Sequence, residues 1–497
     1  MGAKVVSTIK STRFRILLLL SGAMAVKDMM SINLSMAMVC MVNSTREADN
    51  STANILNATV QMTETVCRSP DYEESGGYHG SLKWSPAQQA LLFSAFDWGL
   101  LCMLFTGYFV DKFNPKWLLS AGILAGMLWT CLIPISTKSY FALTLTLRAL
   151  IGFTDAIVNP CVNTIITAWF PRKERSTAYG VTTAGNQIGT LIIWPISGYL
   201  CSLVDIAGGW PLIYYVSAGF GGLWLVMWTL YGAEDANAQQ CISASELEYV
   251  SHAIQMERTA SERMRKRIPW WDILKSPAVW ATIVGTICHE FPLIMLIIFL
   301  PAYLAEVLQY HVHDNGVLSA LPTACFLLVK ILASYGADWL HTRCHLSKSR
   351  LCKINNSIAC AGLGTFLLAT TFLDCSSGNW AVAFFCLALA FAGFQTPGSL
   401  VTLVTIAPAY AGTITGMAYF LVAASVLSGP IIIRSIVTTG SRLEWNMVFY
   451  ILTALSYLPL LIFNLFGTAD LQPWATATTA FKTDKEIKEE MQEKENI

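Results

Sequence analysis

The sequence predicts an all-α membrane protein of about twelve transmembrane helices, arranged as two six-helix halves with both termini cytosolic. Three observations predict it. Only 13% of the 497 residues are charged and 54% are hydrophobic, whereas a soluble domain carries about 25% charged residues. Mean hydropathy is +0.51, and apolar runs of about 20 residues, enough to cross a hydrocarbon core of about 30 Å, recur along the whole chain. Basic residues concentrate in alternate loops, which orients the helices. A spanning β-barrel would show shorter alternating segments, and the sequence lacks them.

The first span, 16–42, follows a short basic segment. It is too long for the apolar core of a cleaved signal and carries Lys27, Asp28 and Asn33, so it reads as a retained membrane helix. Val6 stands where myristoylation needs Ser or Thr. The further spans are 88–110, 117–137, 140–168, 177–203, 210–231, 279–305, 316–337, 353–373, 379–400, 412–436 and 446–467. Four units follow: an N-terminal half 1–232 with a polar loop 43–87, an inter-half loop 233–278, a C-terminal half 279–470 and a tail 471–497.

Lys4, Lys10, Arg13 and Arg15 precede the first span, Lys112 and Lys116 follow the second, and Arg172, Lys173 and Arg175 follow the fourth. The inter-half loop holds Arg258, Arg263, Arg265, Lys266 and Arg267, and Arg343, Lys348 and Arg350 follow the eighth span. The opposite loops are nearly free of Lys and Arg; Arg46, Arg68, Lys83 and Lys138 are the exceptions. Loop 43–87 is therefore non-cytosolic, and its sequons at Asn43, Asn50 and Asn57 are expected glycosylation sites. Asn33 and Asn355 match the same pattern within or beside helices and read as chance matches. Ser261 to Trp271, basic and then aromatic, reads as an amphipathic segment on the cytosolic leaflet. Lys482 to Ile497 reads as a solvated tail.

Net charge is zero, from 32 basic and 32 acidic residues, and implies no nucleic-acid partner. Of 14 cysteines, Cys102, Cys131, Cys161, Cys201, Cys325, Cys360 and Cys386 lie in apolar runs and read as small packing residues. Cys67 and Cys375 lie in non-cytosolic loops, where a disulfide between them is open. No Cys/His spacing matches a metal site. There is no phosphate loop and no nucleophile–base pair. Cys288 and His289 are adjacent, but neighbouring helix residues point about 100° apart. The chain is expected to be neither an enzyme nor a cofactor protein.

The halves repeat weakly. Gly107 and Asp111 end the second span, and Gly336 and Asp338 end the eighth. Such a two-half architecture belongs to transporters, with a site near the midplane between the halves. Ionisable residues at membrane depth are costly and mark such paths. Here they are Lys27, Asp28, Asp97, Arg148, Asp155, His289, Glu290 and Lys330. Lys27, Arg148, His289 and Lys330 suit an anionic substrate. Arg148 and Asp155 are seven residues apart, roughly 20° short of two full turns, and share a face that Asn159 continues. Asp155, and secondarily Asp97, are candidate proton carriers. Structural pairing is the competing reading: Lys27 with Asp28 or a neighbouring helix, Arg148 with Asp155, and Lys330 with Asp97 or Glu290.

Specific stretches resemble the anion-cation symporter family of the major facilitator superfamily, which includes sialin, the vesicular glutamate transporters and sodium–phosphate cotransporter-like proteins. Asn33-Leu-Ser35 followed by Met41-Val-Asn43 resembles the family's first helix. Arg148-x-x-x-Gly152-x-x-Asp155-x-x-x-x-Pro160 resembles the R-x-x-x-G-x-x-E-x-x-x-x-P motif of the fourth. Trp169-Phe-Pro171-x-x-Glu174-Arg175-Ser176 resembles W-x-P-P-x-E-R-S. Leu318 to Pro322, Ile406 to Gly412 and Glu444 to Tyr450 are similar to later family segments. The match runs from about residue 14 to 474.

The resemblance implies the major facilitator fold and alternating-access transport of a small organic or inorganic anion, coupled to protons or sodium ions, in the plasma membrane or an endolysosomal or vesicular membrane. It implies that Asp155 stands where the family has a proton-linked glutamate, one methylene shorter. Ser31 stands where sialin-like and glutamate-carrying members have an arginine, with Lys27 one turn earlier on about the same face. His289 stands where the glutamate carriers have another arginine, and Thr405 where the family often has an aspartate. These departures argue against glutamate. They are also the support for an alternative, a non-transporting receptor or scaffold on the same fold.

Overall fold

The computed structural model describes residues 11–42, 80–203, 208–239, 242–263, 269–344, 346–373, 377–407 and 410–476, apart from 104, 105, 107–109 and 111. The described residues are helical throughout; their one β feature is an isolated bridge between Val42 and Leu82.

The N-terminal half holds α1 (Thr12–Met41), α2 (Pro86–Leu100), α3 (Pro115–Ser139), α4 (Phe141–Trp169), α5 (Arg172–Ser202) and α6 (Pro211–Tyr231). The C-terminal half holds α7 (Pro277–Glu306), α8 (Val312–Cys344), α9 (Lys348–Thr370), α10 (Gly378–Thr405), α11 (Ala411–Ile436) and α12 (Arg442–Phe466). Ten of these are long and apolar enough to cross a membrane. The other two are α2, whose described helix is 15 residues long, and α5, which opens on Arg172, Lys173, Glu174 and Arg175 and carries Asn186 and Gln187.

Local chemistry sets the helix ends. Ser85 caps α2 in a box with Gln88, with Pro86 in the first turn. Asn114 caps α3 ahead of Pro115. Glu444 reaches back to the backbone of Ser441 while Ser441 caps α12, and Gly440, at φ 73°, makes the preceding turn. Inside the bundle small residues let helices touch. A Cβ on Gly152 would sit 1.9 Å from the Phe96 carbonyl, so α2 and α4 meet backbone to backbone.

The structure differs from the hydropathy reading in three places. The inter-half segment holds a helix, Ala244–Arg263, and a short one, Trp270–Lys275; their polar composition gives no hydropathy signal. Helix α10 is interrupted by a 3-10 turn, Gly393–Gln395, and a π turn, Thr396–Leu400, with Gly398 at φ −85° and ψ −119°. Pro397 lacks an amide donor there, and the break is buried, with Gln395 bonded to Ser399. Finally, Cys201 is not a free packing cysteine: it is disulfide-bonded to Cys40, joining the ends of α5 and α1. Two cysteines at membrane edges carry no sequence signal for pairing. Cys102, Cys131, Cys161, Cys325, Cys360 and Cys386 are free. Cys67 and Cys375 lie outside the described residues. A disulfide belongs to an oxidising compartment, which agrees with these ends being non-cytosolic.

The halves meet on that same side. Gly198 on α5 and Gly316 on α8 cross so closely that a Cβ on Gly316 would lie 2.6 Å from the Trp194 carbonyl. Ser94 donates to the Leu427 carbonyl at 2.9 Å, Ser35 to the Ile298 carbonyl, and the Phe93 and Phe299 rings lie 5.2 Å apart. The buried core shared by the two halves lies towards the non-cytosolic ends, whereas the clusters towards the cytosolic ends each belong to one half, an inward-facing arrangement.

At the cytosolic rim, Arg13 joins Glu174 at 2.8 Å and Glu246 at 3.1 Å. Ser11 donates to Glu246 at 2.6 Å and Tyr249 to Glu174 at 2.8 Å. The inter-half helix is thus clamped to the N-terminal half. Burial alone would push the Glu246 carboxyl up, but hydrogen bonds from Ser11, Arg13 and Thr12 outweigh it and hold the group below its ordinary value. The bond to Glu174, with burial, pushes the Tyr249 phenol up.

Candidate functional site

The membrane charges gather around α1, α2 and α4 in one half and α7 and α8 in the other. The strongest contact is between Lys27 on α1 and Asp155 on α4, with Nζ 2.8 Å from Oδ1 and 3.1 Å from Oδ2. Both side chains are largely buried, 12% and 9% exposed.

Arg148, on the same face of α4 as Asp155, does not pair with it. Its two terminal nitrogens both donate to the Ser31 carbonyl at 3.3 Å. The guanidinium carbon stacks 5.6 Å from the centre of the Phe96 ring. Arg148 is 2% exposed, and its Nε has no hydrogen-bond partner. Asp97 is buried within electrostatic reach of Arg148. No contact ion pair joins the two among the described residues. The acceptor is a main-chain carbonyl of α1, which position 31 offers whatever its side chain.

Asp28 turns away from this cluster towards α5, where Thr190 donates to its Oδ2 at 2.7 Å. Nothing in the spacing of the sequence singles out Thr190, one of several hydroxyls along α5.

In the C-terminal half the expected residues separate. His289 is buried, 1% exposed, and neither ring nitrogen has a hydrogen-bond partner; its Nδ1 lies 3.7 Å from Glu290. Glu290, at 17% side-chain exposure, is the more accessible of the two. Lys330 lies within electrostatic reach of Glu290 and 6.0 Å from the Phe326 ring centre. Asp97 and Lys330 therefore do not pair with each other: each faces an opposite charge in its own half. Tyr419 on α11 also lies near Glu290, a neighbour that the sequence does not reveal.

Of the glycine–aspartate repeat, Gly336 and Asp338 both lie in α8, and no other helix packs within 4 Å of a Cβ built on Gly336 among the described residues. Gly107, Asp111 and the sequons at Asn43, Asn50 and Asn57 lie outside the described residues. Among the described residues no group of three or more His, Cys, Asp or Glu side chains could hold a metal ion.

At membrane depth the N-terminal half thus carries three carboxylates (Asp28, Asp97, Asp155) against two cations (Lys27, Arg148). Such a set can exchange an internal ion pair for a proton and an anion, because neutralising one carboxylate frees a cation.

A family model described as Major Facilitator Superfamily matches residues 18–430. Human sialin is 28% identical over 471 residues, covering 94% of this chain and 91% of that protein. The uncharacterized transporter slc-17.2 of Caenorhabditis elegans is 29% identical over 472 residues, covering 95% of this chain and 94% of the relative. A bacterial homolog of the human lysosomal transporter spinster, in an inward-facing and occupied conformation, superposes with a TM-score of 0.63 at 15% identity, over 94% of this chain and 100% of that one. The likeness to sialin bears out the resemblance to the anion-cation symporter family.

Proposed function

The chain belongs to the major facilitator superfamily and is a multi-pass secondary transporter, and on that premise we propose that it moves a small organic or inorganic anion coupled to protons or sodium ions. The observation that carries the reading is Arg148: a guanidinium 2% exposed, held by a carbonyl rather than a carboxylate, with one donor unfilled. A buried, unfilled guanidinium donor calls for an acceptor, and guanidinium matches carboxylate or phosphate in two-point geometry.

The Lys27–Asp155 pair supplies the coupling. Protonation of Asp155 breaks the pair and leaves Lys27 without its contact partner. An anion then enters more favourably; when it leaves on the other side, Asp155 gives up its proton to that side as well and pairs with Lys27 again. Ion and anion binding are linked because each changes the charge that the other meets. The resemblance to the anion-cation symporter family supports an anion as cargo. We place the chain in the plasma membrane or an endolysosomal or vesicular membrane.

The test is Asp155→Asn in proteoliposomes. Proton-driven anion uptake should vanish while exchange of internal for external anion persists. Undiminished proton-driven uptake would remove Asp155 from the coupling.

A further inference from the structure

We propose that Asp28, Thr190 and Asn186, at the contact of α1 and α5, form a binding site for a sodium ion. The proposal names a site for one of the two driving ions and rests on the transport reading only for its role in the cycle.

Asp28 is the carboxylate that the anion and proton steps leave unused. Among the described residues it forms no contact ion pair; the adjacent Lys27 is committed to Asp155. The Thr190 hydroxyl donates to it at 2.7 Å. That hydroxyl also lies 3.4 Å from the Asn186 carbonyl one turn earlier. The Asn186 Oδ1 and Gln187 Oε1 on the same stretch of α5 are buried with no hydrogen-bond donor.

Every unsatisfied atom in this group is an oxygen acceptor. A proton on Asp28 would supply one donor and leave the amide oxygens bare. A hard metal cation gathers several oxygens at once, mixing carboxylate, amide, hydroxyl and backbone carbonyl. The charge count gives its valence. Three carboxylates face two cations at this depth, so the half lacks one positive charge, and a monovalent ion restores it. Buried acceptors without partners call for such an explanation, and ionisable residues at membrane depth carry partners or ions.

The experiment follows thermal unfolding of the purified full-length protein while sodium chloride replaces potassium or choline chloride at constant ionic strength. An ion that binds the folded state raises the midpoint saturably. The expected result is a sodium-specific rise that Asp28→Asn and Thr190→Val abolish and Glu290→Gln, in the other half, keeps. If Asp28→Asn does not fold, Thr190→Val and Asn186→Leu carry the same test. An equal rise with potassium, no rise with sodium, or a rise that survives these variants overturns the site. A midpoint that ignores sodium but loses its pH dependence in Asp28→Asn overturns it in favour of a proton. Anion uptake with no sodium effect would sink this site alone. A sodium effect with no uptake of any anion would sink the transport reading alone.

Discussion

Lys27 and Asp155, 128 residues apart in sequence, form an ion pair between α1 and α4 with Nζ 2.8 Å from Oδ1. Burial makes this pair fragile in one direction only. Removing one partner strands the other charge and costs about 3–5 kcal/mol, whereas removing both does not. Lys27→Gln and Asp155→Asn should each lower the unfolding midpoint clearly, and the double variant should recover most of the loss. Thermal unfolding in detergent reads this directly. Additive losses in the double variant would show that the two residues act apart.

Arg148 should resist conservative replacement. Lysine keeps the charge but cannot reach the Ser31 carbonyl with two nitrogens and stack on Phe96 together. Arg148→Lys should raise the half-saturating anion concentration about tenfold or more, equivalent to roughly 1.4 kcal/mol. Arg148→Gln should abolish uptake. Wild-type concentration dependence in Arg148→Lys would remove the guanidinium from substrate recognition.

The crossing of Gly198 and Gly316 closes the non-cytosolic side. In Gly316→Val the new side chain meets the Trp194 carbonyl, which a Cβ would approach to 2.6 Å. The substitution should hold α5 and α8 apart. Cysteines introduced near the crossing should label faster from the non-cytosolic side, and transport should fall. Unchanged labelling would mean that the contact is not the gate.

Glu246 ties the inter-half helix to α1, and its folded carboxyl lies below the ordinary value of 4.5. A depressed carboxyl adds stability above its unfolded value and loses it as pH falls through the folded one. The wild type should therefore unfold at a higher temperature than Glu246→Gln at neutral pH. The gap should hold down to about pH 5 and close well below pH 4.5. A gap independent of pH would assign the effect to packing.

Much of this was legible in the sequence. Charge-poor runs gave the helices, and basic loops gave their orientation. The spacing from Arg148 to Asp155 put both on one face of α4. Which helix each would meet was not legible, because periodicity describes one helix and not its neighbours. Lys27 and Asp28 are adjacent yet serve different helices, Asp155 on α4 and Thr190 on α5. His289 drew attention by type, but the rotation of α7 buries it and leaves Glu290 more exposed. The Cys40–Cys201 bridge and the break at Gly398 arise from tertiary contacts that hydropathy does not record.

The most direct test of the central claim is uptake into proteoliposomes of labelled sialic acid, glutamate, urate and phosphate, each under an imposed proton gradient, sodium gradient or voltage. Concentrative uptake of an anion that collapses with one gradient, and is lost in Arg148→Gln, is the predicted result. Folded, correctly inserted protein that moves none of these anions under any gradient would contradict the account and favour a receptor built on the transporter fold.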